Sequence, residues 1–421
     1  MPVNKIKSFV QNEYAFSFFS KIVGVVIAML YSILYNRYLG AVLKGDAAII
    51  SNYISIISSF TCFGMYQAYP YYRRRDKEVF YPFLNNMTSF NLLLLGVAIL
   101  MCLFVNVDWN VRIAILLVPV YSFVRHINYM ALVEYPTRRN VSGIIINVAD
   151  VVIVAFFFVF TNASYKNLIY ILLIQNAINL AISYSNLKAN IRKLRFSLSQ
   201  IVKYMKFGFL PMITLFLMTV NYRIDVLMLQ DAPNVGKAAI GVYSVGVMLA
   251  EKVWLLPDSM KDILLSHLCK GADKEEVSKI IRVSLALTLI LVVGVAILGK
   301  PFISILYGSA YDGAYSITVI MLLGVIGMIF YKMVYAYNVS QGKRFINMIL
   351  LAVSALINVI GNYFFIPVWG VNGAAFVSVA SYNICGIAFL IYFHRKTDAS
   401  YKEMLILKRT DLDVIKRYIK K

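Results

Sequence analysis

Apolar residues run along this chain in blocks of about twenty, each closed by a short polar or basic stretch. Twelve such blocks lie near positions 14–36, 47–70, 83–105, 111–134, 143–162, 166–187, 207–229, 239–260, 282–299, 314–338, 346–366 and 373–393. About twenty apolar residues make a helix long enough to cross a bilayer core of roughly 30 Å. The blocks lack the alternation over about ten residues that marks an outer-membrane barrel strand. Small and polar positions inside them recur three or four apart, as in Ser17, Lys21, Gly24, Ala28, Ser32 and Tyr35, which places them on one helix face. The pattern predicts an all-α polytopic membrane protein with twelve transmembrane helices. The first block is too long for a signal-peptide core and ends in Arg37-Tyr38-Leu39-Gly40 rather than a small-residue cleavage site, so it reads as a retained first span.

The blocks divide six and six around a basic segment. The expected organisation is an N-terminal six-helix lobe over 1–190, a cytoplasmic inter-lobe linker over 191–206, a C-terminal six-helix lobe over 207–395 and a basic amphipathic tail over 396–421. The halves look repeated. Arg37 at the end of the first block precedes Pro70 by 33 positions, and Arg223 in the seventh precedes Pro257 by 34. Two lobes of like orientation are a recurrent transporter plan, with the substrate site near the bilayer midplane.

Composition sharpens this picture. The 421 residues are 60% hydrophobic and only 14% charged, against about 45–50% apolar in a soluble domain. The net charge of +21 is read as membrane topology, not nucleic-acid binding. With the N-terminus inside, the outer segments hold only Arg37, Lys44, Arg112, Lys166, Lys237 and Lys300, and most of the 41 Lys and Arg fall on the other side. Cytoplasmic loops accumulate Lys and Arg, which sets both termini in the cytoplasm. Four scattered cysteines without a C-x-x-C pair, and three histidines, suggest neither a disulfide frame nor a zinc site.

Five cations lie inside the blocks: Lys21, Arg125, Arg223, Lys252 and Lys332. A charge at the centre of a spanning helix costs roughly 2.5–3.5 kcal/mol on the insertion scale. None has a carboxylate three or four residues away on its own helix. Arg223 and Asp225 are two apart, and Glu251 and Lys252 are adjacent, so neither pair stacks. Asp150, Asp225 and Glu251 are the acids considered for pairing between helices, and five cations exceed three acids. The set predicts a cationic cavity for an anionic cargo; structural ion pairs and snorkelling to the interface are the competing account. Lys21, Arg125 and Lys252 lie deepest, whereas Lys332 and Arg223 sit closer to an interface. Asn147, Asn176, Asn179, Asn358, Asn362 and Asn383 add polar groups that hydrogen-bond between helices or line a path. The tail places Leu405, Leu412, Ile415 and Ile419 on one face, as in a helix lying on the inner leaflet; a solvated tail is the competing account.

Several segments carry a resemblance: Arg37-Tyr38-Leu39-Gly40 with Gly45; Asn221-Tyr222-Arg223-Ile224-Asp225; Leu306-Tyr307-Gly308 with Tyr311; and Asn358, Asn362, Ile366-Pro367, Gly370-Val371 and Gly373-Ala374-Ala375. In this order, across nearly the whole chain, they resemble the Wzx-type polysaccharide flippases of the multidrug/oligosaccharidyl-lipid/polysaccharide exporter superfamily. Ala41 departs from the pattern, since a proline often follows that glycine. The resemblance implies a V-shaped bundle of two six-helix lobes, like that of the multidrug exporters. It also implies export of an undecaprenyl-pyrophosphate-linked oligosaccharide repeat unit across the bacterial inner membrane, for O-antigen, capsule or exopolysaccharide synthesis.

The expected function is alternating access, with Lys21, Arg125 and Lys252 attracting the pyrophosphate and Arg223 and Lys332 as further cavity cations. Asp225 and Glu251 are the candidates for coupling a proton or sodium ion. No cofactor, metal or catalytic residue is expected: the sequence holds no paired-carboxylate motif, no Ser/His/Asp constellation and no phosphate loop. Expected partners are the lipid-linked oligosaccharide and the bilayer, with a polysaccharide polymerase and a chain-length regulator as candidates, and no nucleic acid. A cation-coupled multidrug antiporter of the same fold would favour cavity carboxylates. A membrane polymerase of lipid-linked sugars would need a large outer loop, and a lipid II flippase about two further spans.

Overall fold

A computed structural model describes residues 13–189, 196–408 and 411, with side chains from residue 23 onward. Among the described residues the chain is helical throughout, without strands. The helices are α1 (Glu13–Thr61), α2 (Ala68–Arg75), α3 (Phe80–Phe104), α4 (Trp109–Glu134), α5 (Pro136–Phe160), α6 (Tyr165–Ser185), α7 (Leu198–Gln230), α8 (Lys237–Val253), α9 (Leu255–Cys269), α10 (Lys274–Tyr307), α11 (Ala314–Leu322), α12 (Val325–Ser340), α13 (Arg344–Thr397) and α14 (Tyr401–Leu405).

Nine stretches of described helix are long and apolar enough to span a membrane, and the bent pair α11–α12 makes a tenth. Two of them are too long for one crossing. The 54 residues of α13 would run about 81 Å at 1.5 Å per residue, well over twice a bilayer core of roughly 30 Å. Helical geometry breaks once in each, at Gly40 (φ 65°) in α1 and at Gly370 (φ 55°) in α13. Positive φ is accessible to glycine without a Cβ penalty. The Lys44 ammonium lies 5.6 Å from the Tyr35 ring centroid across the first break. Counting the halves of α1 and α13 as separate spans gives the twelve that the sequence pattern predicts.

The chain divides into two compact units, Met1–Phe216 and Leu217–Lys421. The division falls inside α7, which begins at Leu198, so positions 198–206 of the expected linker are helical. Positions 191–195 of the linker lie outside the described residues, as do 190 at the end of the expected N-terminal lobe and 409, 410 and 412–421 of the expected amphipathic tail.

In the first unit α1 packs on α4 and α5, and α3 on α4. One buried cluster gathers Met65, Tyr69, Phe83, Met87, Ile127, Met130 and Tyr204. Glu134 closes the end of α4 by accepting from Arg73 (Nε 2.5 Å, Nη2 3.0 Å) and from the Tyr69 hydroxyl. In the second unit α12 packs on α13, and α8 on α11. Large apolar side chains such as Phe104, Phe160, Ile297 and Val368 face outward in both units, as a lipid solvent requires, while many polar ones turn inward.

The inward polar groups resolve an ambiguity left by the sequence. Asn358 and Asn362 are fully buried and hydrogen-bond inside the second unit. Asn358 Nδ2 reaches Ser381 Oγ at 3.2 Å, and Asn362 Nδ2 reaches Asn358 Oδ1 at 2.7 Å. Asn358 ties its half of α13 to the other half and, through the Asn221 carbonyl at 3.4 Å, to α7; the Asn362 bond stays within one helix. Asn383 has another task. It accepts from the Gly327 N–H at 3.0 Å and donates to the Leu323 carbonyl at 3.1 Å, satisfying backbone groups freed at the 48° bend between α11 and α12. Asn383→Leu should strand both groups and lower stability by about 2 kcal/mol, measurable as a reduced Tm of detergent-purified protein.

The described tail folds back onto the start of α10. Ser400 and Glu403 form a capping box on α14. Arg282, at the α10 end, holds the Asp411 carboxylate with Nε at 2.7 Å and Nη2 at 3.0 Å, and donates from Nη1 to the Glu403 carbonyl. Lys274 Nζ donates to the Thr397 carbonyl at 2.7 Å.

Candidate functional site

Two spans of the second unit are broken. The stretch Lys237–Cys269 is interrupted at Trp254, between α8 and α9, three residues before Pro257. The second is the bent α11–α12 pair. The first unit repeats the former device: α1 ends at Thr61, and α2 follows with Pro70 near its start. Discontinuous helices inside membrane proteins are tolerated where protein or a wet cavity satisfies the freed backbone.

Beside these breaks lies a cavity of about 430 Å³, within the 300–1,000 Å³ range of small-ligand sites. Helix α7 contributes Tyr222 and Arg223. The α8–α9 break contributes Glu251, Trp254, Asp258 and Lys261, and α12 contributes Tyr331, Lys332 and Tyr335. All belong to the second unit. Spacing explains the convergence: Trp254 and Asp258, like Tyr331 and Tyr335, are four apart and share a helix face.

Two ion pairs organise the charge. The Arg223 guanidinium meets Glu251 with both arms, Nη1–Oε1 at 3.0 Å and Nη2–Oε2 at 3.3 Å. Lys332 Nζ lies 2.8 Å from Asp258 Oδ2, 3.5 Å from the Trp254 carbonyl and 5.5 Å from the Trp254 ring centroid. Lys261 approaches Asp258 at 3.4 Å. Three cations thus face two carboxylates in the lining, while the exposed Asp262 outside it approaches Lys261 at 3.8 Å. Lys332 is buried, with a side chain only 7% exposed; it pairs across helices instead of snorkelling to the interface.

The rest of the wall is aromatic. Trp254 packs on Tyr222 with centroids 5.7 Å apart, and on Tyr382 at 5.6 Å. Tyr331 contacts Tyr335 at 5.7 Å. The Tyr222 hydroxyl donates to Met328 Sδ at 3.8 Å and the Tyr331 hydroxyl to Met218 Sδ at 3.2 Å. Thioether sulfur is a weak acceptor, so better acceptors compete easily for these protons. The Trp254 indole N–H is buried without an acceptor. Flat rings, weakly engaged donors and an excess of positive charge can hold a polar, ring-shaped, anionic ligand.

Arg223, Lys332 and Glu251 therefore come together in one cavity. Asp225 turns away from it. Fully buried, it accepts from the Tyr243 hydroxyl, from Ser378 Oγ at 3.2 Å and from its neighbour's N–H at 2.8 Å. Lys252, in the last turn of α8, is exposed and outside the cavity lining. Arg125 lies in the first unit, half-buried, with its guanidinium 5.9 Å from the Tyr66 ring centroid and Nη1 3.7 Å from Cys62 Sγ. The Lys21 side chain lies outside the described residues. Sequence reasoning missed Asp258, Trp254 and Lys261. The available signal was Asp258 inside an apolar block, one position after Pro257.

The family model of the polysaccharide biosynthesis proteins matches residues 44–316, more than half of the chain, and the chain belongs to that family. No curated protein sequence shows significant similarity. Among solved structures, the chain is similar to the lipid II flippase MurJ in an inward closed conformation (TM-score 0.74, 16% identity, covering 97% of this chain and 92% of that one). It is also similar to an inward-facing multidrug resistance MATE family transporter (TM-score 0.67, 14% identity, 90% and 98%). A third match is a transporter of the same MOP superfamily from Pyrococcus furiosus, whose binding pocket is described as reversed in polarity (TM-score 0.62, 14% identity, 93% and 96%). At these identities the likeness is one of fold: the all-helical, multi-pass fold of the MOP-superfamily flippases and transporters.

Proposed function

We propose that this protein translocates an undecaprenyl-pyrophosphate-linked oligosaccharide across the bacterial inner membrane, with both termini in the cytoplasm. The observation that carries the reading is the cavity beside the broken spans, where aromatic rings stand next to a cation surplus. Sugar rings pack on aromatic faces through their C–H edges, and their hydroxyls take up the weakly engaged donors of Tyr222, Tyr331 and Trp254. Both lining carboxylates are already held by cations, so a cationic drug would have to displace Arg223 or Lys332 to use them. That weighs against the antiporter reading.

Trp254→Ala should reduce export up to tenfold, the equivalent of about 0.5–1.5 kcal/mol for one aromatic contact, without disturbing the Arg223–Glu251 pair. Export is read as surface polysaccharide in cells carrying the variant as sole copy. A chromosomal deletion should abolish that polysaccharide and cause the lipid-linked repeat unit to accumulate on the inner leaflet. Normal surface polysaccharide in the deletion strain would refute the proposal.

Asp225 is the better of the two ion-coupling candidates. Glu251 is occupied by Arg223, whereas Asp225 receives only neutral donors, and Asn362 Oδ1 in the same polar core has no donor. Asp225→Asn should leave the fold intact and remove the dependence of transport on a proton or sodium gradient. A retained gradient dependence would assign the coupling elsewhere.

A further inference from the structure

We infer that the first unit carries a surface that binds the headgroups of anionic phospholipids, formed by Tyr71, Tyr72 and Arg75 of α2 and by Lys203 and Lys206 at the start of α7. Its ligand is a lipid of the bilayer, not the transported molecule, so it stands apart from the reading of the cargo.

The eight residues of α2 lie between two spans, Val23–Thr61 and Lys77–Phe104, which sets them at a membrane boundary. The start of α7 reaches the same place. Phe207 contacts the Tyr71 ring with centroids 4.8 Å apart and the Tyr72 ring at 6.0 Å, and Tyr204 contacts Tyr72 at 5.4 Å. The Arg75 guanidinium stands 4.0 Å from the Tyr71 ring centroid, and Lys203 Nζ stands 4.6 Å from that of Tyr72. Two cations from two helices are thus held on a pair of tyrosine rings that are themselves 5.1 Å apart. Arg75, Lys203 and Lys206 are exposed, so their N–H groups remain open to a ligand.

The charge of this surface is uncompensated. Arg73, on the same helix, is spent on structure: it holds Glu134 and donates from Nη1 to the Lys77 carbonyl. Among the described residues, Arg74, Arg75, Lys203 and Lys206 form no ion pair. Of the two acids that follow α2, Asp76 accepts from the Glu78 N–H at 2.8 Å, and Glu78 is exposed. A guanidinium can stack on a ring and still offer its edge to a phosphate. The face of α7 beside the lysines indicates which phosphate. Leu198, Val202 and Phe209 are exposed apolar side chains, and at about 100° per residue they fall within about 40° of one another. Lys206 follows about 40° further round, and Lys203 about 60° beyond it, next to the tyrosine rings. Acyl chains can lie along the apolar strip while the headgroup meets the cations at its border, where tyrosine and lysine commonly mark the membrane interface. An acidic protein segment would meet the cations but leave the strip uncovered. A zwitterionic headgroup brings a cation of its own, whereas an anionic one is drawn to the basic residues.

The test is native mass spectrometry of the full-length protein in detergent, titrated with phosphatidylglycerol or with phosphatidylcholine. The wild type should bind its first phosphatidylglycerol about tenfold more tightly than phosphatidylcholine. Arg75→Gln and Lys203→Gln should each weaken that binding about fivefold, the share of one basic residue at an anionic surface. Lys270→Gln removes an exposed cation of the second unit and should change it by less than about twofold. Lys203→Arg keeps the charge and should retain the affinity, which separates loss of the site from loss of the fold. Equal weakening by all three Gln variants would mean diffuse attraction and overturn the site. Wild-type affinity in both Arg75→Gln and Lys203→Gln, or equal affinity for the two lipids, would overturn it as well. Displacement of phosphatidylglycerol by a soluble poly-glutamate peptide at equal concentration would give the surface to an acidic protein partner, and the lipid assignment would fail.

Discussion

Cells whose sole copy carries Lys332→Glu should lose surface polysaccharide, with export below a tenth of wild type. The Lys332 ammonium is buried and lies 2.8 Å from Asp258. Reversing its charge sets two carboxylates against each other beside Trp254 and turns the cavity's cation surplus into an acid surplus. Breaking a buried pair costs about 3–5 kcal/mol, and the solvent reaching the half-exposed Asp258 puts this case at the lower end. The repulsion acts inside the binding wall, so the loss should appear as transport failure even where the protein still reaches the membrane. The exchange Lys332→Asp with Asp258→Lys restores opposite charges and should recover part of the export. A swap no better than Lys332→Glu would show that the charge positions, and not only their pairing, are read by the cargo. Immunoblots of membranes beside polysaccharide staining separate the two effects.

Arg282→Met should destabilise the second unit by about 3–5 kcal/mol, because it leaves the Asp411 carboxylate buried without its cation. Both side chains are nearly inaccessible, at 5% and 2%. Adding Asp411→Leu should return most of that stability, since an apolar pair of similar volume avoids the desolvation cost of two charges. The pair also predicts a pH response. Hydrogen bonds from Arg282 hold the Asp411 carboxyl below the usual aspartate range. A depressed folded-state pKa gives stability that is present above the unfolded value and lost as pH falls through the folded one. The tail should therefore stay docked across the neutral range and release only in acid, below the usual aspartate pKa. Limited proteolysis of the C-terminus against pH reads this directly; release between pH 6 and 8 would contradict it.

The spans were legible because lipid imposes a run length that composition alone reveals. The breaks at Gly40 and Gly370 were partly legible, since both glycines stand in the motifs that carried the family resemblance. Pairing was not. Helical spacing reports neighbours on one helix, whereas Lys332 finds Asp258 and Arg223 finds Glu251 on other helices. Arg223 and Asp225 show the limit most clearly. Two positions apart, they diverge by about 200° around α7, one into the cavity and the other into the dry polar core with Tyr243 and Ser378. A rotation of about 100° separates Glu251, which lines the cavity, from its neighbour Lys252, which is exposed. Depth within a span was therefore a poor guide to which cations share a site, because facing depends on where α8 breaks at Trp254.

The most direct test of the account is transport by the purified protein. Proteoliposomes carrying a fluorescent undecaprenyl-pyrophosphate-linked oligosaccharide should expose it across the bilayer in a protein-dependent manner. Lys332→Glu and Trp254→Ala should slow that exposure in the order of their predicted effects. Equal rates with wild type, both variants and protein-free vesicles would contradict the assignment of this cavity and of the flippase activity.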